Sequence, residues 1–382
     1  MRVSELWRFL LGDRRAILGF ASEPRTLWLA LVFVFSAALA RRYDGADLVA
    51  EPHALFLPAL VSWFNATLLF LLLHLLVGRR ADPRPGFIAS YRVVLGLFWL
   101  TAPLAWLYAI PVERFFEPYG ATVANLWLLL VVATWRVVLM ARVVSVIYGI
   151  GGWTGFFQVM FFADLVAVGI MIASPKPIVQ LMAGITHTDR DALLLEVSFS
   201  VIYVGILSLP VWAILMLVSA FKNRGAWDLA LERSPRGIRG LWLLASFSIL
   251  VWLPILPFTQ AEQRLGRHID ESLAAHRIGE ALDLMSTHAR DEFPPGYDPR
   301  PHQWPGRTEP DVLDVVPQLA EREVPGWVRE AFLAKLDRRL RDARQLDPAK
   351  AAELDALRGR IEGLEAILER HAEVVEPALE GR

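Results

Sequence analysis

Residues 126–173 carry two apolar runs, each long enough to cross a bilayer, joined by the glycine-rich turn Gly149-Ile150-Gly151-Gly152. No other feature narrows the fold as much. A run of about 20 apolar residues needs a hydrocarbon environment, where only helices and closed barrels satisfy every backbone N–H and C=O. The first run holds Arg136 and the second Asp164. Charges at such depth are costly and require a partner or a purpose. A tight turn makes the two helices antiparallel neighbours, so the two residues share a depth. The spacing therefore predicts an ion pair between Arg136 and Asp164. Ala163 and Ala167 form a small-xxx-small pair suited to close helix approach.

The apolar pattern recurs along the first two thirds of the chain. It predicts seven spans: 26–40, 54–77, 92–112, the two of the hairpin, 197–221 and 241–258. Pro103 and Pro111 predict kinks in the third. Residues 1–25 carry Arg2, Arg8, Arg14, Arg15 and Arg25 beside apolar clusters, which suits a basic amphipathic arm at the headgroup level. The segment Ala38-Leu39-Ala40 also matches a signal cleavage site. Arginine and lysine concentrate in alternate loops (Arg79, Arg80 and Arg84, then Lys222, Arg224 and Arg233). This bias predicts a cytoplasmic N-terminus in the inner membrane of a bacterium. Seven crossings then put the C-terminal domain outside the cytoplasm, and one crossing fewer would put it inside. The fold class expected is all-α: a transmembrane bundle over 26–258 followed by a helical domain over 259–382.

In that last domain, Asp347-Pro348 reads as an N-cap and first turn. Leu354, Leu357, Ile361, Leu364 and Leu368 follow at alternating three- and four-residue steps, a seam of the coiled-coil kind. Trp327, Phe332, Leu336 and Leu340 give the preceding helix a matching stripe. The short connection favours an antiparallel hairpin within the chain. The competing reading is that the seam binds a partner protein or a second copy.

Other polar residues have modest structural readings. His74 sits near the inner end of the second span, Arg142 can snorkel to the interface, and Glu113 and Arg114 suit a helix end. The cluster His187-Thr188-Asp189-Arg190-Asp191 fits a capping box better than a metal site. Another mixed cluster, His288, Asp291 and Glu292, suits a solvated helix end. The glycine turn departs from G-x-G-x-x-G because Thr154 occupies the last position, and neither H-E-x-x-H nor G-x-S-x-G occurs. The chain has no cysteine, which excludes disulfides and thiolate ligands, and its formal net charge of −1 offers no attraction to nucleic acid. No catalytic residue, cofactor or metal is predicted, and the one assured partner is the lipid bilayer.

Three stretches carry a resemblance. They are Trp7-Arg-Phe-Leu-Leu-Gly-Asp-Arg-Arg-Ala-Ile17, Gly96-Leu-Phe-Trp-Leu-Thr-Ala-Pro-Leu-Ala-Trp-Leu-Tyr-Ala-Ile-Pro111 and Ala281-Leu-Asp-Leu-Met-Ser-Thr-His-Ala-Arg-Asp-Glu-Phe-Pro-Pro295. With these the chain resembles a family of uncharacterised bacterial polytopic membrane proteins. A looser likeness to Yip-family multi-span proteins rests on the apolar spans alone. Neither implies an activity. Three functional classes remain: an accessory or assembly protein with a partner-binding helical tail, a transporter or permease component using Arg136 and Asp164, and an intramembrane enzyme.

Overall fold

The computed structural model describes residues 3–81, 86–173, 189–222, 227, 239–299, 310–343 and 345–381, and every element in it is helical. The described residues form two compact units, one ending at Phe258 and one beginning at Thr259.

The first unit opens with α1 (Val3–Leu10) and α2 (Arg14–Ser22). Gly12, at φ 78°, turns the chain between them, and Asp13 caps α2 by accepting from Ala16 N at 2.9 Å. Leu6, Phe9, Ile17 and Phe20 are buried in the core of the bundle, while Trp7 and Leu11 are exposed. Trp135 Nε1 donates to Leu10 O at 2.8 Å and Arg142 Nε to Gly12 O at 3.3 Å. The arm is thus fastened to the side of a spanning helix and contributes to the core.

α3 (Thr26–Arg42) meets α2 at a bend of 108°, so the two make a broken span or a re-entrant loop. The spanning helices α4 (His53–Leu76), α6 (Pro118–Ile147), α7 (Gly152–Ala173) and α8 (Asp189–Lys222) follow the apolar runs. The third span is composite. α5 (Phe87–Trp99) stops and a 3₁₀ segment, Ala102–Ala109, continues it with Pro103 in its first turn. Proline has no N–H for the helical ladder and disfavours helix in the residue before it, so the break falls where Pro103 dictates.

Among the described residues five stretches are long and apolar enough to cross a membrane, or six with the bent pair, against the seven expected. The difference lies at 241–258. There α9 (Arg239–Leu250) has 12 residues, about 18 Å of helix, which is short of a hydrocarbon core about 30 Å thick. Turns at Trp252, Leu253 and Ile255 end it around Pro254.

α6 and α7 are joined by the four residues 148–151, with Gly149 at φ 59° and Ser145 Oγ donating to Ile150 O at 2.6 Å. Gly155 lies against α6: a Cβ there would sit 2.7 Å from Ala141 O. Gly205 on α8 lies as closely against Val168 and Asp164 of α7. Gly155 and Gly205 thus let these helices approach closely.

The second unit contains α10 (Leu256–Ala274, from Thr259 onward), α11 (Ile278–Thr287), α12 (Val312–Ala320), α13 (Gly326–Asp342), α14 (Pro348–Asp355), α15 (Leu364–Arg370) and α16 (Ala372–Leu379). Asp311 and Asp347 cap α12 and α14. The continuous seam helix is not formed. It breaks between α14 and α15, where Gly359 and Gly363 take left-handed φ of 74° and 88° that other residues avoid. The spacing nonetheless marks buried positions. Leu354, Leu357, Ile361, Leu364 and Leu368 pack with Phe332, Leu336 and Leu340 in one intramolecular core.

Candidate functional site

Arg136 and Asp164 are level, as the turn requires. Arg136 lies 11 residues before Ile147 and Asp164 12 residues after Gly152, about 17 and 18 Å along their helices. They nevertheless take different partners. Arg136 Nε donates to Thr101 Oγ1 at 3.2 Å, and its guanidinium lies over the Phe98 ring at 5.3 Å. Asp164 Oδ2 accepts from Ser208 Oγ of α8 at 2.7 Å. The expected ion pair is therefore replaced by two separate polar contacts. Depth is fixed by residue count, but the direction of a side chain is fixed by helix rotation, and rotation turns Arg136 toward the third span and Asp164 toward α8.

The surroundings of Arg136 follow from the Pro103 break. Ending α5 at Trp99 leaves carbonyls without helical donors and places the negative end of the helix dipole there, a favourable site for a cation. Thr101 is fully buried, and its hydroxyl donates to Phe98 O at 2.7 Å, which leaves its oxygen to accept from Arg136. The aromatic face of Phe98 adds a cation–π contact. Tyr108, one 3₁₀ segment further on, receives a second cation: Arg41 lies over its ring at 5.6 Å. Glu113, five residues beyond Tyr108, accepts from Asn125 Nδ2 at 2.6 Å. In sequence Arg41 reads as an outer-loop charge and Tyr108 as an interfacial anchor, and nothing in their spacing links the two.

His74 sits in an aromatic pocket, 5.5 Å from the Phe70 ring and 5.0 Å from that of Phe87. Its Nδ1 is buried and has no hydrogen-bond partner, as is true of the Tyr148 hydroxyl and both amide atoms of Gln158. Gly78 separates His74 from Tyr148: a Cβ there would lie 3.0 Å from His74 Nδ1 and 3.7 Å from the Tyr148 ring. Arg142 is exposed and serves to anchor Gly12.

Among the described residues no three of His, Asp and Glu converge as metal ligands do. Residues 174–188, with His187, Thr188 and the apolar piece 178–185, lie outside the described residues. In the second unit, one carboxylate gathers three donors. Asp337 accepts from Arg370 Nη1 at 2.6 Å, Arg341 Nη2 at 2.8 Å and His371 Nε2 at 3.1 Å. Burial alone would raise its pKa, but the hydrogen bonds from His371 and Arg370 outweigh that and hold the carboxyl below its ordinary range. The ends of α13 and α15 are joined through this contact. His288 donates to or accepts from its own helix end, at Leu284 O and Thr287, and takes no part in a wider site.

No family model, curated protein or solved structure matches this chain.

Proposed function

We propose that this is an accessory or assembly protein of a bacterial inner membrane, whose C-terminal helical domain engages a protein partner. The observation that carries the reading is that residues from Thr259 onward form a unit with a hydrophobic core of their own. A chain that needed only to span the membrane gains nothing from a second core. The seam leucines are spent inside that core, so the partner would meet the outer surface of the domain. In vivo cross-linking followed by mass spectrometry, on wild type and on a chain ending at Ala274, tests this. Cross-links to one membrane protein that vanish with the domain are expected. An identical cross-link set in both would refute the reading.

The N-terminus belongs in the cytoplasm by the arginine bias. Seven crossings place the tail outside, whereas six place it inside with the N-terminus; the 12-residue length of α9 argues against seven, and the bent α2–α3 pair taken as one span gives six. Because the chain has no cysteine, Ser4→Cys and Glu362→Cys can each be read singly with an impermeant maleimide. Both should label only after permeabilisation; labelling of Glu362→Cys on intact cells would require an odd number of crossings, five or seven.

A transporter or permease component is the second reading. It is favoured by Arg136 and Asp164 holding separate polar positions at one depth, which leaves each available to a polar cargo.

A further inference from the structure

Asp164 lies 12 residues into the 22-residue α7, about 18 Å from its start, which sets the carboxyl near the middle of a spanning helix. Three groups meet there. Ser208 Oγ donates to Asp164 Oδ2 at 2.7 Å, and the same hydroxyl lies 3.3 Å from Gly205 O. Asp164 Oδ1 comes close to Gly205 as well: a Cβ at that glycine would stand 3.0 Å from it. The missing side chain is what lets the carboxyl reach the backbone of α8. Pro210, two residues past Ser208, has no N–H, which removes the helical donor to Ile206 O, next to Gly205.

Among the described residues the Ser208 hydroxyl is the one polar partner of the Asp164 side chain. α7 packs against α6, α8 and α4. On α6 the level cation, Arg136, is bonded to Thr101, and Arg142 to Gly12. On α8 Tyr203 is exposed, and Glu196 and Lys222 lie about 18 and 21 Å from Ser208 along the helix. On α4 His74 sits against Phe70 and Phe87, and His53 opens the helix. None of these touches Asp164. An ionised carboxylate at that depth with one neutral donor is costly, and a single proton removes the charge. The Ser208 hydroxyl can serve both forms. It donates to the carboxylate. When the acid forms, the Asp164 O–H donates to Ser208 Oγ, and the Ser208 hydrogen turns to Gly205 O. Each form is hydrogen-bonded without movement of the backbone.

We propose that Asp164, with Ser208 and Gly205, is a reversible proton-binding site in the membrane-spanning part of the chain. The carboxylate takes one proton from water to become the neutral acid, and returns it to water. Asp164 is half-buried, so part of its surface is open to that exchange. The inference rests on the transporter reading for its purpose, and names a proton as the ion held at that carboxyl; it does not need the partner-docking reading of the tail.

The test uses the full-length protein in phosphatidylcholine nanodiscs. Infrared difference spectra between alkaline and acidic pH should show a carboxylic-acid carbonyl band that is absent in Asp164→Asn, an isostere that still accepts from Ser208. Ser208→Ala removes the hydrogen bond and should shift that band, and Ser208→Thr should return it. A second measurement needs wild type alone, and carries the test if Asp164→Asn fails to fold. Dicyclohexylcarbodiimide, an apolar reagent, attacks protonated carboxyl groups, and peptide mass spectrometry reads where. Modification of Asp164 should fall roughly tenfold per pH unit once the acid has ionised, as for any single carboxyl. Identical difference spectra in wild type and Asp164→Asn, or modification of Asp164 that does not change with pH, overturns the proposal. Neither readout needs a cargo. If Asp164 titrates while a cargo crosses in Asp164→Asn as fast as in wild type, the transporter reading fails and the site stands.

Discussion

Replacing Asp337 by alanine should loosen the end of the C-terminal domain far more than removing either arginine that touches it. The Asp337 side chain is 13% exposed and that of His371 8%, whereas Arg341 and Arg370 are 57% and 60% exposed. When the carboxylate is lost, the arginines turn to water, and each exposed pair forfeits about 0–1 kcal/mol. His371 has no such escape: its Nε2–H is left buried without an acceptor, at about 1–3 kcal/mol. These terms sum to about 1–5 kcal/mol, and about 2–3 kcal/mol lies in the middle of that range. Hydrogen exchange on the intact protein in detergent reads this locally. Amides of α13, α15 and α16 should exchange roughly 30- to 140-fold faster in Asp337→Ala, at tenfold per 1.4 kcal/mol. Arg341→Ala should change them less than about fivefold. The sign of the pH effect follows from the same contact. A carboxylate held below its unfolded value of 3.8 contributes stability that is present above that pH and lost as pH falls through the folded value. Acidification below 3.8 should therefore weaken wild type more than Asp337→Asn. If Asp337→Ala exchanges like wild type within threefold, the clamp contributes nothing and the reasoning fails.

Three further outcomes are expected. Gly155→Val should lower the melting temperature in detergent through a cost of about 1–3 kcal/mol, because the new Cβ meets the Ala141 carbonyl at 2.7 Å and backbone does not yield, while Gly169→Ala, with open space around it, should not. Ser208→Ala should destabilise the α7–α8 pair by about 1–3 kcal/mol, since Asp164 loses its hydroxyl donor; Ser208→Thr should restore the melting temperature, and an unchanged melt in Ser208→Ala would refute the assignment. In the tail, Leu336→Ala should cost about 2–5 kcal/mol and Asp347→Ala about 1 kcal/mol by hydrogen exchange, the first leaving a cavity in the core and the second uncapping α14.

The sequence by itself determined that the chain is helical with several apolar helices that fit a membrane protein, and where most of those helices run, because apolar length and backbone satisfaction in lipid favour that solution. It also determined the cap at Asp347 and the buried positions Leu354 to Leu368, because these depend on chemistry within a few residues. Pro103 was legible as a break in the third span, and Pro254 marks the place where the seventh stops. Tertiary structure decided the rest. The seam positions are buried, yet two glycines in left-handed conformations fold them into short helices where the heptad alone suggests one long helix. Arg136 and Asp164 share a depth because residue count fixes height along a helix. Their partners depend on how each helix is rotated and on what packs beside it, and neither quantity is local. Arg41 and Tyr108, far apart in sequence, meet only because α3 and the 3₁₀ segment lie together in the bundle. The charge that the sequence matched to Asp164 is, in the folded chain, held by the Thr101 hydroxyl and the Phe98 ring.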